Sequence, residues 1–423
     1  MIAQMKRRRV VLTLMITVTT FWSLSYIIER NLLRSVQIDS AVPITNIKSL
    51  PSKLSPLPIH SNHTTKTKWS YVSSGMGKHE NKLTLDFDEK YLENLYDYQR
   101  EGKSVMKKKI IMHYGQYPIN TISNYTSCYA CECELSYDRA RWREADIIIL
   151  TDENYPRGER PPNQLWFIFI HEPPHKVKLS NDLGDRVNYT ITYRRDSSVF
   201  LPYHNYKPFD PSHSWETRYP LPSRNYAIGK TKMAAWFVTN CDARSQRKEY
   251  AEELSKHFEI DIYGKCGTKQ CPRTIESECY KLLEKDYKFY LSFENSLCPD
   301  YVTEKIFRNA YSHNIVPIVM GASIEEYKRV SPPHSFIHVD EFESPAKLAE
   351  YLKYLDHNDT AYNEYFAWRE HGVIDDWMPR PECLLCLFAH VRNHLEQHSI
   401  PNVSRWWNDA CFGRKLRWNP DGI

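Results

Sequence analysis

The chain has 423 residues, of which 26% are charged, and a formal net charge of only +4 at neutral pH. This length allows two domains with additional segments, whereas the small net charge gives no indication of nucleic-acid binding. Eleven cysteines indicate an oxidising compartment, and their odd number leaves at least one of them without a partner within the chain.

The amino terminus predicts a membrane anchor. A basic cytosolic tail, residues 1–9, ends in Lys-Arg-Arg-Arg and precedes residues 10–28, which contain no charged side chain. At about 1.5 Å per residue, this stretch is long enough to cross a bilayer. A secretory signal peptide is the alternative, but no A-x-A-like cleavage site follows. The basic cluster places everything after residue 28 in the lumen, which is the type II topology.

Residues 29–106 are predicted to form a stem. They combine scattered prolines with many Ser, Thr and Lys residues and show little sustained periodicity, so they bury too little apolar surface to fold alone. Within the stem, residues 86–99 have the spacing of a short helix. The predicted luminal side carries five N-x-S/T glycosylation sequons, at Asn62, Asn124, Asn188, Asn358 and Asn402.

Residues 107–222 are predicted to form a first α/β domain. Short apolar runs alternate there with loops or with helical spacing, a pattern that is typical of such domains. The predicted strands are residues 107–113, 146–150, 165–170, 190–193 and 199–203, with a helix near 138–144. The proline-containing segment 220–225 indicates a linker to the next domain.

Residues 223–400 are predicted to form a second α/β domain, followed by a C-terminal tail, residues 401–423. Its predicted strands are 233–239, 260–263, 287–293 and 315–320, and its predicted helices are 247–257, 302–313, 345–355 and 359–369. Within it, residues 287–323 have the order strand, polar loop, helix and strand, which defines a right-handed βαβ unit. The loop and helix start lie at the carboxyl edge of the sheet, where backbone N–H groups favour a phosphate. A bound anion there would explain Lys305 in the first helical turn, where a basic side chain is otherwise unfavourable.

Three motifs within this βαβ unit carry a family resemblance. FENS at 293–296, DYVTEK at 300–305 and MGAS at 320–323 closely resemble the nucleotide-binding signature of α-1,3-fucosyltransferases, glycosyltransferase family 10. The resemblance implies an α/β fold of two Rossmann-like domains that face a cleft, the glycosyltransferase-B type, here preceded by the transmembrane helix and the stem. It also implies GDP-fucose as the donor substrate and a glycoprotein glycan as the acceptor.

The resemblance further implies roles for residues of the second domain. Asn240 stands in Thr-Asn-Cys, where the family often has Ser-Asn-Cys, and Arg247 is expected to bind the donor pyrophosphate, with Arg244 as the next candidate. A guanidinium suits this role because it can bind two phosphate oxygens at once. Tyr263 is expected either beside the nucleotide or in the core. In the loop and helix start of the βαβ unit, Asn295 and Tyr301 are expected to contact the donor, Glu304 its sugar hydroxyls and Lys305 its pyrophosphate. Glu294 is expected either to contact the nucleotide or to support the loop.

The first domain is expected to supply the catalytic base. Glu172 follows the apolar strand 165–170, and this chain has Glu-Pro-Pro where the family has Glu-Ser-Pro. Inverting transfer needs one carboxylate that takes the proton of the attacking hydroxyl. Asp152, Glu153 and His171 are the alternatives on nearby loops.

Arg195 and Asp196 belong to a second block of the first domain. The sequence Tyr-Arg-Arg-Asp-Ser-Ser resembles a family block that usually ends in an acid, and here the last position is Ser198. Two interpretations stay open for the pair. Arg195 and Asp196 either hold or line the acceptor side of the cleft, or form a structural salt bridge between the domains.

The cysteines permit either a zinc site or disulfides. The distance in sequence between the two groups and a luminal location favour disulfides. The family has a C-terminal C-x-x-C that forms disulfides, and Cys411 could pair with one cysteine of the matching motif. The resemblance implies no bound metal and no required cofactor, and it leaves stimulation by Mn²⁺ or Mg²⁺ open. The groups with ligand-like spacing are Cys128, Cys131 and Cys133, and separately Cys383 and Cys386.

The sequence therefore predicts an inverting α-1,3-fucosyltransferase of the Golgi membrane with a luminal catalytic domain, which moves L-fucose from GDP-β-L-fucose to a GlcNAc hydroxyl of a glycoprotein glycan. The acceptor stays open between the core GlcNAc of N-glycans and an antennal GlcNAc. An inactive, lectin-like Golgi protein is the alternative from another class. Asn295, Tyr301, Glu304 and Lys305 argue against it, since an inactive protein has no need of all four.

Overall fold

The computed structural model describes residues 66–72, 82–88, 107–116, 132–375, 381–394, 398–411, 413 and 415–418. The predicted cytosolic tail and membrane anchor lie outside these residues, as does most of the predicted stem. Among the helices that are described, none has the length and apolar character needed to cross a membrane.

Two strands lie within the range predicted for the stem. Lys66–Val72 and Lys82–Asp88 pair with each other in antiparallel register. The structure differs here from the predicted spacer, and the predicted helix 86–99 begins as strand. In both segments apolar or aromatic residues recur at every second position, a strand signal that the overall polar composition obscures.

The first sheet has six parallel strands. Its two central strands, Ile147–Leu150 and Leu165–Ile170, are buried along their whole length, because both faces of the sheet are covered. The loops that follow them carry Asp152 and Glu172, so both residues lie at the carboxyl edge. In spatial order the strands are Cys133–Ser136, Lys109–His113, Ile147–Leu150, Leu165–Ile170, Tyr189–Thr192 and Val199–Phe200.

The carboxyl-terminal part of the chain covers the first sheet. Helix Pro381–Val391 packs its apolar side against one face, with Phe388 beside Phe167, although this helix lies in the range predicted for the second domain. On the other face, helix Val403–Asn408 buries Trp407 among side chains that include Trp166. The chain therefore returns to the first sheet after it has completed the second.

The second sheet has five parallel strands. Helices Arg247–Ser255 and Pro345–Asp356 pack in its larger core cluster, and helix Glu276–Asp286 contributes Leu283 to a smaller one. The central strand, Tyr287–Phe293, is buried at every position. In spatial order the strands are Ile260–Tyr263, Lys232–Phe237, Tyr287–Phe293, Val316–Met320 and Ile337–His338.

The remaining described elements are short. A two-stranded antiparallel sheet pairs Asn205–Pro208 with Gly372–Asp375. Two further α-helices are Ile324–Val330 and Asp359–Glu364. The 3₁₀ turns are Arg139–Arg141, Asn181–Leu183, Arg273–Ile275, Tyr311–His313, Val339–Glu341, Ala367–Glu370 and Arg392–His394.

The helix of the predicted βαβ unit differs from the expected α-helix over residues 302–313. It is a π-helix, Lys305–Ala310, followed by a 3₁₀ turn. Its start is delayed because the N–H of Val302 donates to Asp300 O and the N–H of Thr303 donates to Glu294 Oε1, so these residues belong to the loop. The apolar side is buried as predicted. Two other predicted helices are shorter: that near 138–144 is a single 3₁₀ turn, and that at 359–369 divides into an α-helix and a 3₁₀ turn.

Four disulfides connect described cysteines: Cys133–Cys386, Cys241–Cys266, Cys271–Cys279 and Cys298–Cys411. The expectation that Cys411 pairs with a cysteine of the C-x-x-C motif is wrong, because Cys386 bonds to Cys133 and Cys383 is itself disulfide-bonded. Each described cluster of metal-type ligands that contains cysteine includes one of these disulfides, whose sulfurs are not thiolate ligands. Of the cysteines with ligand-like spacing, the described ones, Cys133, Cys383 and Cys386, are therefore in disulfides, whereas Cys128 and Cys131 lie outside the described residues.

Candidate active site

Three charged residues meet at the carboxyl edge of the second sheet. Glu294 follows the central strand, and Glu304 and Lys305 lie at the start of the next helix. Lys305 Nζ is 2.9 Å from Glu294 Oε2 and 3.2 Å from Glu304 Oε1. The other oxygen of Glu294 accepts hydrogen bonds from the N–H of Thr303 at 2.9 Å and from its hydroxyl at 2.7 Å. Lys305 therefore has two carboxylate partners, and a bound anion is not needed to explain a basic residue at this helix start.

Gly321, the glycine of the MGAS motif, makes room for Glu294. Its φ is +154°, and a Cβ at this position would lie 2.8 Å from the Cβ and Cγ of Glu294. The N–H of Glu294 also donates to Met320 O at 2.8 Å, so the two strand ends are held together. The glycine and the two flanking motifs thus form one structural unit around a buried carboxylate.

The electrostatics of this triad follow from burial and pairing. Burial raises the pKa of Glu294, against the attraction of Lys305. Burial also disfavours the Glu304 anion, but the charge of Lys305 and the hydrogen bonds from a backbone N–H, Lys305 and Thr303 together lower the Glu304 pKa. For Lys305, burial lowers the pKa, and Glu294 and Glu304 together raise it further than burial lowers it. Lys305 is therefore protonated and Glu304 ionised at neutral pH.

Arg247 joins two loops at the same edge. Its Nη1 donates to Phe293 O and its Nη2 to Asn240 O, both at 2.9 Å, so Asn240 contributes its backbone carbonyl. The side chain is buried, and its Nε has no hydrogen-bond partner among the described residues. Burial lowers the pKa of Arg247, against the attraction of Glu294. Pyrophosphate binding by Arg247 stays a prediction, and Arg244, the next candidate, is exposed.

The other predicted donor residues have different surroundings. Asn295 Oδ1 is buried and has no hydrogen-bond partner in the described part of the chain, which leaves it available for a ligand. Tyr301 is buried, with its ring centroid 5.0 Å from that of Tyr193 on the first sheet. Tyr263 Oη lies 2.8 Å from the hydroxyl of Tyr287, inside the second sheet. The geometry of Tyr263 therefore favours the core alternative over a contact with the nucleotide.

Glu172, the predicted base, faces the triad from the first sheet. Its side chain is exposed, yet the surrounding protein displaces enough water to raise its pKa. Lys305 lowers this pKa and Glu304 raises it, so both residues of the second sheet are near enough to act on Glu172. The structure thus brings together the carboxylate predicted in one domain and the charged pair predicted in the other.

The alternative bases are less suited to take up a proton. Asp152 is buried and accepts hydrogen bonds from the N–H groups of Gln116 and Asn154, at 2.5 and 2.8 Å. Burial lowers the pKa of His171 to about 4, and its Nε2 has no partner among the described residues. Glu153 is exposed and lines a hollow together with Lys178.

The two residues of the Tyr-Arg-Arg-Asp block have separate roles. The backbone N–H of Arg195 donates to Asp300 Oδ2 at 3.0 Å, which links the two sheets. Asp196 pairs with Arg194 at 2.6 Å and accepts a hydrogen bond from Trp406 Nε1 at 2.8 Å. The salt-bridge interpretation therefore fits Arg195, whereas Asp196 fastens the carboxyl-terminal segment to the first sheet.

Sequence reasoning assigned no role to three residues that shape this site. Thr303 and Asp300 lie inside the DYVTEK motif, and their place in that motif could have indicated a role in the site. Ser245 donates its hydroxyl to Glu294 O at 2.7 Å and is fully buried. Ser245 lies outside the motifs quoted from the sequence, so a single sequence gives no indication of its role.

The fold and the site define a mixed α/β protein in which charged residues follow strands of two parallel sheets. A model of the fucosyltransferase N-terminal region matches residues 106–204, and a model described as glycosyltransferase family 10 (fucosyltransferase), C-terminal, matches residues 227–406. The chain belongs to glycosyltransferase family 10, the fucosyltransferases.

Named relatives support this membership. The chain is 38% identical over 336 residues to glycoprotein 3-alpha-L-fucosyltransferase A of Drosophila melanogaster, covering 76% of this chain and 65% of that protein. It is 36% identical to alpha-(1,3)-fucosyltransferase fut-1 of Caenorhabditis elegans, covering 68% of this chain and 67% of that protein. It is also 36% identical to alpha-(1,3)-fucosyltransferase C of Drosophila melanogaster, covering 67% and 71%. The matches therefore span about two thirds of the length of these relatives.

Proposed function

We propose that the chain is an inverting α-1,3-fucosyltransferase that moves L-fucose from GDP-β-L-fucose to a GlcNAc hydroxyl of a glycoprotein glycan. The observation that carries the proposal is the placement of Glu172 opposite Glu304 and Lys305, close enough for each to shift the pKa of Glu172. Three relatives are named 3-α- or α-1,3-fucosyltransferases, which supports fucose as the transferred sugar and the 1,3 linkage, whereas others of similar identity are named 4-α-L-fucosyltransferases.

In this proposal Glu172 is the general base. The acceptor hydroxyl attacks the anomeric carbon of fucose while Glu172 takes its proton, and the bond to the GDP oxygen breaks on the opposite face. Burial raises the pKa of Glu172, which makes it a better proton acceptor than an ordinary carboxylate. One base without a second nucleophile gives inversion at the anomeric carbon.

The triad holds the donor. The Glu304 side chain is 43% exposed and ionised, so it can accept hydrogen bonds from two neighbouring sugar hydroxyls. As Glu304 turns to the sugar, Lys305 is freed to donate to the pyrophosphate and to offset the charge that develops on GDP. Asn295 Oδ1 and Arg247 Nε, which are buried and have no hydrogen-bond partner in the described part of the chain, complete the donor contacts in this proposal.

The proposal also covers the domain architecture, the membrane anchor, the compartment and the metal requirement. The two parallel sheets suit two Rossmann-like domains of the glycosyltransferase-B type, residues 107–222 and 223–400, with residues 381–391 packed on the first. Residues 10–28 would anchor the chain in the Golgi membrane, with residues 1–9 in the cytosol, residues 29–106 as the stem and the catalytic part in the lumen. The four disulfides suit that compartment. No metal is needed for the steps above, and transfer in excess EDTA would support this.

The test is incubation of the chain with GDP-fucose and a panel of glycans, with products and linkage read by mass spectrometry. Glu304→Ala and Lys305→Ala should each abolish transfer. Retained transfer in either variant would overturn the assignment of the donor site. The panel also separates a core GlcNAc acceptor from an antennal one. The inactive, lectin-like alternative predicts no product and no binding of GDP.

A further inference from the structure

We infer that Asp300 is a positioning residue that fixes the donor loop, residues 294–301, to the first sheet through Arg195. The inference rests on the proposed function, because it takes this loop to hold GDP-fucose. It adds what determines the orientation of Asn295 and Tyr301 relative to Glu172.

Asp300 lies where three elements meet. Its Oδ2 accepts the backbone N–H of Arg195 at 3.0 Å, and its Oδ1 is 3.9 Å from Arg195 Nε. Its own N–H donates to Glu326 Oε1 at 3.1 Å. Glu326 in turn caps helix Ile324–Val330 through Ser323. The donor loop is thereby attached to a regular element of the second sheet and to a loop of the first.

These contacts are protected from water. The side chains of Arg195 and Asp300 are only 19% and 15% exposed. Charge-assisted hydrogen bonds in such surroundings are stronger than ion pairs between fully solvated side chains. Burial nevertheless raises the pKa of Asp300, and the N–H of Arg195 opposes this rise. Burying the Asp300 carboxylate therefore costs solvation free energy, and the contact with Arg195 offsets part of that cost. We take this as a sign that the contact has a role beyond the loop itself.

The backbone at Asp300 restricts which residue can serve. Its φ is 57°, in the left-handed region that aspartate, asparagine and glycine adopt more readily than other residues. Aspartate satisfies this backbone and also supplies two acceptor oxygens. Glycine would satisfy the backbone alone, so the two requirements can be separated by substitution.

The neighbours of Asp300 show what its contact with Arg195 adds. Cys298 is bonded to Cys411, which lies just after helix Val403–Asn408 on the first sheet. The disulfide keeps the loop near the first sheet whether or not Asp300 is present. A single covalent link leaves rotation free, and a second link two residues later removes it. Loss of Asp300 should therefore loosen Tyr301 and Asn295 without releasing the loop or unfolding the sheets.

The experiment compares Asp300→Gly and Asp300→Asn in the full chain, with Asn163→Gly as the matched control. Asn163 has φ 59°, the same backbone region, in an exposed turn. Asp300→Gly keeps the backbone and removes both acceptors, whereas Asp300→Asn keeps one oxygen for the Arg195 N–H. The measurements are KM for GDP-fucose, KM for the acceptor glycan, kcat, and Kd for GDP by calorimetry.

For Asp300→Gly we expect KM for GDP-fucose and Kd for GDP to rise about tenfold, the effect of one lost charge-assisted hydrogen bond. KM for the acceptor should stay within about twofold, and Asp300→Asn should recover most of the donor affinity. Asn163→Gly should match the wild type. If Asp300→Gly is not recovered folded, Asp300→Asn should still show a donor-selective rise of about twofold.

The inference is overturned if Asp300→Gly binds GDP as the wild type does, or if donor and acceptor constants change equally in either variant. The proposed function fails in a different way, because the wild-type chain would then transfer no fucose. Weaker GDP binding by Asp300→Gly in a chain without transfer would uphold the positioning role and reject the activity.

Discussion

Replacing Lys305 with alanine is expected to destabilise the fold as well as to abolish transfer, because it leaves a buried carboxylate without its partner. Glu294 has a side chain that is 1% exposed, and its Oε2 is 2.9 Å from Lys305 Nζ. Breaking one side of a buried ion pair costs about 3–5 kcal/mol. Thr303 keeps two hydrogen bonds to Glu294, so we expect a loss near the lower end, about 3 kcal/mol of unfolding free energy.

The loss should depend on pH with a definite sign. The folded pKa of Glu294 is already raised by burial, and removing Lys305 raises it further. A carboxyl group whose folded pKa exceeds its unfolded value costs stability as pH rises through the interval between the two values. Below about pH 4, near the ordinary carboxyl pKa, Glu294 is protonated in both states and this cost disappears. The unfolding free energy that Lys305→Ala loses relative to the wild type should therefore be largest at neutral pH and become smaller on acidification.

The assay is urea unfolding of the chain at several pH values, with Glu294→Gln/Lys305→Ala as the partner variant. The double variant lacks both the Glu294 anion and the Lys305 cation, so it leaves no unpaired carboxylate there and should recover most of the lost stability at neutral pH and still transfer no fucose. The reasoning is refuted if Lys305→Ala is as stable as the wild type at neutral pH. It is also refuted if its deficit stays constant as the pH falls.

Three further outcomes follow from the same structure. Glu172→Gln should reduce transfer by at least about a hundredfold and leave the Kd for GDP unchanged, since only the base is lost; near-normal turnover would place the base elsewhere. In the wild type, the acidic limb of kcat/KM should fall with a midpoint above the ordinary glutamate range, because the pKa of Glu172 is raised and the carboxylate is the active form; a midpoint at or below that range would contradict this. Peptide mass spectrometry should find Asn402 glycosylated and Asn188 unmodified. Asn188 is only 4% exposed, and its side chain accepts a hydrogen bond from the Trp166 N–H and donates one to His398 O. A glycan on Asn188 would contradict the described packing.

The sequence predicted the centre of the second sheet well. Strand Tyr287–Phe293 was predicted with its observed bounds, because a short, continuous apolar run followed by a polar loop strongly favours a buried strand. The carboxylates and the lysine around it were found through the motifs. Their mutual pairing was not, since a resemblance assigns each residue a ligand and says nothing of how the residues contact one another.

Other elements depend on contacts that are distant in sequence. Strand Gly372–Asp375 forms because it pairs with Asn205–Pro208, more than 160 residues earlier, and neither segment is apolar enough to be recognised alone. Helix Pro381–Val391 was assigned to the second domain by its place in the chain, although it packs on the first sheet. The partner of Cys411 was missed because the expectation rested on the family's C-x-x-C motif, whereas Cys411 is bonded to Cys298, 113 residues earlier.

The links between the two sheets converge on the donor loop, and this arrangement has a mechanistic consequence. Cys298, Asp300 and Tyr301 each contact the first sheet or the segment that covers it, by a disulfide, a hydrogen bond and a ring contact. If the donor is held by this loop, its position is set by the sheet that carries Glu172. The distance between the base and the anomeric carbon then depends little on how the second sheet moves as GDP leaves. Glu304 and Lys305 lie beyond these links, as the N-cap and the first residue of a π-helix, so a movement of the second sheet would carry these two groups with the leaving nucleotide and leave the base in place.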